Sequence, residues 1–238
     1  MLAAGEFGRY VIKCEIKGKF MREIFNIHRA ILFGVFLLIL GTLNNANAEN
    51  SSFAHFRFGS DVSIDVPRNW YFLDENIRQN LNTYSEAVVR LAGITAAQGN
   101  NQILIAANAY TASKKPSATM RLSARKGDFI SQREVTEADP KELAMMAKYQ
   151  LDKLKSSLPD NVRSMSLVGV RIEKLGKYYS IVTEKLVEYT SGLQVDRVDV
   201  IYFRNVVYKL NTSYRKSEAW IFKPIIEIVR ESLSIPAN

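Results

Sequence analysis

Between residues 162 and 214 the chain reads as four β-strands joined by nothing longer than a turn. The runs 162–175, 178–189, 194–204 and 206–214 are rich in Val, Ile and Tyr, side chains that fill a pleated, half-buried surface. Gly176, the pair Ser191-Gly192 and the Arg204-Asn205 junction separate them, and each suits a hairpin. Connections this short can only reverse the chain, because a parallel neighbour needs a crossover of about a dozen residues or more. The fold must therefore contain an antiparallel meander, and the rest of the chain must cover its apolar face.

Three amphipathic helices are available as cover. Over 74–93, Ile77, Leu81, Val88 and Leu91 share a stripe with Tyr84 between them; Asp74 caps the start and Gly93 ends it. Over 139–158, Asp139 is the N-cap, Pro140 fits the first helical position, and Glu142 can complete a capping box. Leu143, Ala147, Leu151, Leu154 and Leu158 then mark the buried side. Over 217–233 the stripe is Phe222, Ile225, Ile226, Val229 and Leu233, and Pro224 predicts a kink or a start just before it. Further strands fall at 102–110 and 119–125, and residues 53–73 read as two strands around a turn. There Val62, Ile64 and Val66 alternate with Ser63 and Asp65, Pro67 stops the strand, and Trp70 covers one end of the core. Residues 128–138 are polar and read as a loop. The fold expected is α+β: an α/β/α sandwich whose central, mostly antiparallel sheet has about six to seven strands flanked by helices.

Two short segments carry a family resemblance. Val66-Pro67-Arg68-Asn69-Trp70 resembles the VP-x-x-W opening of the PsbP/Mog1-like proteins. The segment Tyr208-Lys209-Leu210-Asn211-Thr212-Ser213-Tyr214, followed by Trp220-Ile221-Phe222-Lys223-Pro224 and Ser232-Leu233, is similar to that family's last strand and helix. The resemblance spans about residues 56–235. It implies the same sandwich and a usually non-enzymatic, often exported module that binds or assembles other proteins. It transfers no functional residue, since Pro67 and Trp70 are explained by a turn and a core.

The N-terminal region has a different character. From Met21, a basic stretch containing Arg22 and Arg29 precedes an apolar run from Ala30 to Leu43, and Ala46-Asn47-Ala48 offers small residues for cleavage. This reads as a signal peptide over 21–48, cut near Ala48-Glu49. The apolar run has 14 residues, fewer than the roughly 20 a spanning helix needs. Residues 1–20, which hold Cys14, read as an over-extended start or a disordered prefix. Residues 49–238 form a single globular domain, exported to the periplasm or secreted.

Export sharpens the chemistry. The whole chain carries 32 Lys/Arg against 24 Asp/Glu, and the first 48 residues hold six of the former and three of the latter, which leaves +5. After position 48 there is no cysteine and one histidine, His55. A disulfide framework, a thiol nucleophile and a cysteine metal site are excluded there. A Ser-His-Asp triad would have to use His55, and no serine stands in a Gly-x-Ser-x-Gly elbow. Neither HExxH nor a glycine-rich phosphate loop occurs, so no cofactor is implied. Asp196 and Asp199, three apart on a strand, point to opposite faces. Glu184 and Glu188 share a face and can lie near Arg197 across the hairpin, where cross-strand ion pairs are expected ahead of a calcium site.

One charge cluster remains. Lys114, Lys115, Arg121, Arg125 and Lys126 form a candidate anion-binding patch for lipid headgroups or an acidic partner, set against the plainer reading of a solvated strand-and-loop surface. The expected function is an exported non-catalytic binding or assembly module that engages a protein or envelope component, with no nucleic acid partner. The alternatives are a hydrolase using carboxylates and a protein that binds anionic membrane surfaces.

Overall fold

The computed structural model describes residues 52–59, 62–91, 101–112, 114–127, 129–155 and 157–235, and over 84–91 the backbone alone. The signal segment, the prefix, Gly93 and the side chains of Tyr84, Val88 and Leu91 lie outside the described residues.

Nine strands and four α-helices follow in chain order among these residues. They are β1 (Phe53–Phe58), β2 (Val62–Pro67), β3 (Tyr71–Phe72), α1 (Glu75–Leu91), β4 (Gln102–Ala109), β5 (Ala118–Lys126), α2 (Gln132–Glu137), α3 (Pro140–Lys155), β6 (Val162–Leu175), β7 (Tyr178–Tyr189), β8 (Gly192–Phe203), β9 (Val206–Arg215) and α4 (Ala219–Glu231). The main sheet has seven strands in the order β3-β4-β5-β9-β8-β7-β6, and every neighbouring pair is antiparallel. The meander β6 to β9 is as the turns demand. Gly176 opens the β6–β7 turn at φ 59°, a conformation glycine adopts without strain. In the β8–β9 turn the positive φ of 54° falls on Arg204, where a side chain makes it costly.

The core lies on one face of this sheet. Phe222, Ile226 and Val229 of α4, with Leu233 beyond it, pack against Met120, Leu122, Leu210 and Ile201. Full burial of one such side chain stabilises by about 1.5–3 kcal/mol, so this stripe holds α4 in place. The hairpin β1–β2 forms a separate two-stranded sheet that adds Val62, Ile64 and Val66 to the same core. Paired backbone bonds between Ser63 and Ser234, 2.9 Å each, tie it to the segment after α4. Trp70 is buried and meets Phe222 edge-on with ring centroids 6.4 Å apart.

Three local expectations are corrected. Residues 53–73 form three strands, because β1 pairs with β2 while β3 crosses to β4. Residues 128–138 contain α2, which carries a full capping box. Ser131 accepts from the Glu134 backbone, and the Glu134 carboxylate accepts from the Ser131 backbone. A helix of six residues has little propensity of its own; Gln132 secures it by bonding Tyr179 and Tyr202 on the sheet. The helix α4 begins at Ala219 and runs through Pro224 rather than starting just before it; the cost is one missing bond to the Trp220 carbonyl near the helix start. At the other two helices the caps are where the sequence puts them. Asp74 accepts from Ile77 and Asp139 from Lys141, both at 2.9 Å.

Candidate functional site

Strand alternation gives β5, β9, β8 and β7 two different faces. One carries the core under α4. On the other, cross-strand register lines up polar rows. In one row Arg121 of β5 stands opposite Asn211 of β9; in the next, Ser123 stands opposite Lys209. Apolar neighbours flank both: Ala106 and Ile103 on β4, Val198 and Val200 on β8. A further row runs Asn108, Thr119, Ser213, Asp196, Lys185 across five strands. There the Thr119 and Ser213 hydroxyls bond at 2.8 Å, Gln194 donates to Ser213, and Lys185 pairs with Asp196 at 3.9 Å.

This polar face is the floor of a groove of 720 Å³. It is bordered by Asn82 of α1, which bonds Asn101 at 2.6 Å, and by the β7–β8 turn at Ser191 and Gly192. Asp196 is the one carboxylate among the described lining residues. Burial raises its pKa, with Lys185 and Arg121 opposing. Burial also lowers the pKa of Arg121, against Asp196, and of Lys209, with Arg125 adding to the effect. Among the described residues neither Arg121 nor Lys209 has a carboxylate within 4 Å or a hydrogen-bond partner. The Arg121 Nε and the Asp196 Oδ1 are buried without one.

The α4 face holds a second polar cavity, of 300 Å³, with the opposite character. Arg197 donates to Asp199 at 3.0 Å, to Glu173 at 2.6 Å and to Glu227 at 3.3 Å. Arg230 of α4 bonds the same three carboxylates: Asp199 at 2.8 Å, Glu227 at 3.1 Å, and Glu173. Arg171 bridges Glu173 and Glu184. The carboxylate of Asp199 is fully buried. Burial raises the Glu173 pKa, but Arg171, Arg197 and Arg230 outweigh it and hold the group below its ordinary value. Every carboxylate bonded here is answered by an arginine, so the cluster clamps α4 to β6 and β8.

The residues singled out in the sequence separate on the structure. Arg121 lies in the groove floor and Arg125 on the same face, stacked over Phe129 at 5.0 Å. Lys114 and Lys115 are exposed on the β4–β5 loop, where Lys115 also lines the groove, and Lys126 is exposed at the strand end with the opposite parity. Asp196 and Asp199 do point to opposite faces. Glu184 stands opposite Arg197 across the hairpin, as expected, but its ion pair is with Arg171, and Glu188 takes Ser164 and, at 4.0 Å, Arg163. His55 is an exposed cross-strand partner of Asp65 at 2.6 Å, and no serine bonds it among the described residues. Lys209 and Asn211 were missed as site residues. Their signal was the alternation of Lys209, Asn211 and Ser213 with Tyr208, Leu210 and Thr212, which marks one face of β9 as polar.

No family model and no curated protein matches the sequence. Among solved structures the chain is similar to cyanobacterial PsbP (CyanoP) from Synechocystis sp. PCC 6803, at 9% identity and a TM-score of 0.49, covering 78% of this chain and 93% of that one. It is also similar to LpqN of Mycobacterium tuberculosis, described as involved in cell envelope biogenesis, at 15% identity, TM-score 0.42, with 78% and 91% covered. A third is the Ran-binding protein Mog1p of Saccharomyces cerevisiae, at 7% identity, TM-score 0.40, with 77% and 95% covered.

Proposed function

We propose that this protein is an exported, non-catalytic module that binds or assembles a protein or envelope component on the open face of its sheet. The groove over β5, β9, β8 and β7 carries this reading. Its lining is polar, its charged residues are cationic except for Asp196, and its floor side chains stand on paired strands, which hold a binding surface still without a partner. The basic loop at Lys114 and Lys115 extends the same sign of charge toward the rim. Export rests on the apolar segment from Ala30 to Leu43 and the small residues at Ala46 and Ala48. The absence of catalysis rests on the carboxylates: those of the α4 face are taken up by three arginines, and Asp196 stands without a second acid in the groove among the described residues.

A photo-activatable residue tests the reading directly. Placed at Asn211, in the groove, it should capture a discrete envelope component in the native cell. Placed at Lys141, on α3 away from the groove, it should not. Capture from neither position, or equal capture from both, would overturn the proposal. Retention of the segment before Glu49 in the protein recovered from the envelope would overturn the cleavage site.

A further inference from the structure

We propose that Arg121, Ser123, Lys209 and Asn211 form a binding site for the phosphate group of a phosphorylated ligand. The inference rests on the binding reading above and names the chemistry that the groove recognises.

The four residues make a two-by-two block on adjacent antiparallel strands, Arg121 opposite Asn211 and Ser123 opposite Lys209. Opposite side chains in such a pair stand about 4.5–5.5 Å apart at Cβ, and diagonal ones within reach of long side chains. The block offers a guanidinium, an ammonium, an amide NH₂ and a hydroxyl, four donor groups lining the same groove. A tetrahedral phosphate with three terminal oxygens can take bonds from all four. Arg and Lys are also the two cations that phosphate sites use, the first as a fork and the second as a point charge.

The surroundings strengthen the case. Ala106, Ile103, Val198 and Val200 flank the block and lower its local dielectric, which strengthens a charge-assisted bond. Burial acts against the charge of both cations, yet neither has a carboxylate within 4 Å among the described residues. The nearby Arg125 adds positive potential. Asp196, one row away, is held by Lys185 through Oδ2, while its buried Oδ1 is unpartnered. Among the described residues the one carboxylate that acts on Arg121, Asp196, does so from beyond 4 Å, whereas the α4 face brings three within 3.3 Å of Arg197.

The test is calorimetric titration of the protein with inorganic phosphate and with glycerol 3-phosphate, beside sedimentation with phosphatidylglycerol vesicles. Arg121→Gln and Lys209→Gln should each weaken phosphate binding at least tenfold while the melting temperature holds or rises, because each removes a half-buried unpaired charge. Lys114→Gln with Lys126→Gln should leave phosphate affinity unchanged. Vesicle binding that falls with Arg121→Gln assigns the phosphate to a lipid headgroup; glycerol 3-phosphate binding without vesicle binding assigns it to a soluble ester. Folded wild-type protein that binds no phosphate overturns the site, as does affinity unaltered in both groove variants or vesicle binding lost only in the loop variants. If Asn211 still captures its envelope component while phosphate binding is absent, the anion site fails and the binding reading stands.

Discussion

Under α4, Arg197 meets three carboxylates within 3.3 Å; on the opposite face of the same sheet, Arg121 meets none within 4 Å among the described residues. Both guanidiniums stand on central strands, and burial weighs against the charge of each. A charge removed from water is tolerated where fixed partners replace the lost hydration. The α4 face supplies them internally and gains a clamp. The open face leaves Arg121 and Lys209 with donors unused. Identical residue types on one sheet therefore do two jobs, and the neighbours that the fold delivers decide which.

The largest expected effect tests the clamp. Arg230→Met leaves the fully buried Asp199 carboxylate with Arg197 and Ser180, and removing one partner of a buried pair costs about 3–5 kcal/mol. Urea unfolding should show a midpoint shift of that size with the slope unchanged; a loss below about 1 kcal/mol would mean that the cluster is solvated and adds little.

The pH dependence should divide along the same line. The folded pKa of Glu173 lies below its ordinary 4.5, so its pairing stabilises the protein above that value and the benefit fades as pH falls through the folded pKa. The folded pKa of Asp196 lies above its ordinary 3.8, so stability present below 3.8 is lost as pH rises through the folded value. Relative to wild type, Glu173→Gln should melt lower at pH 7 with the gap closing toward pH 3. Asp196→Asn should melt higher at pH 7, and its gap should also close toward pH 3. Thermal scans in which both differences carry the same sign would break the contrast between the faces.

A smaller effect belongs to the open face. Lys209→Met replaces an unpaired half-buried ammonium by an apolar side chain of similar length beside Val200. Its stability should stay within about 1 kcal/mol of wild type and on the favourable side. A marked loss in denaturant unfolding would show that Lys209 is structural. The smallest effect lies at the turn between the strands that carry both sites. Arg204→Asn should gain a few tenths of a kcal/mol, since asparagine tolerates a positive φ better than arginine does. No change in midpoint would show that the contact of Arg204 over Phe203, at 5.1 Å, offsets the strain.

Much of the fold was legible because it is locally encoded. Gly176, Ser191-Gly192 and Arg204-Asn205 place the hairpin turns, and the strands between them have the expected extent within a residue or two. The caps at Asp74 and Asp139 were equally readable, since each acts within three residues of itself. The Ser131–Glu134 box was readable too, but a helix this short competes with a polar loop until Gln132 binds the sheet. The candidate site was legible only in part. Arg121 stood out as one basic residue in a basic run, which also swept in Lys114 and Lys126. Those two point elsewhere, because alternation along a strand and the course of a loop decide orientation where charge density does not.

The amino-acid sequence by itself determined the antiparallel meander, the amphipathic covers and the polar side of β9. These follow from turn chemistry and from periods of 2 and 3.6, which act over a few residues. Only the tertiary structure decided that β5 lies beside β9, with the whole of α2 to β8 between them in the chain. That crossover sets Arg121 and Ser123 against Asn211 and Lys209. It also decided that α4 brings Arg230 and Glu227 to Asp199 and Glu173. Both arrangements depend on which faces bury the most apolar surface when the whole chain collapses, and no local stretch of sequence contains that comparison.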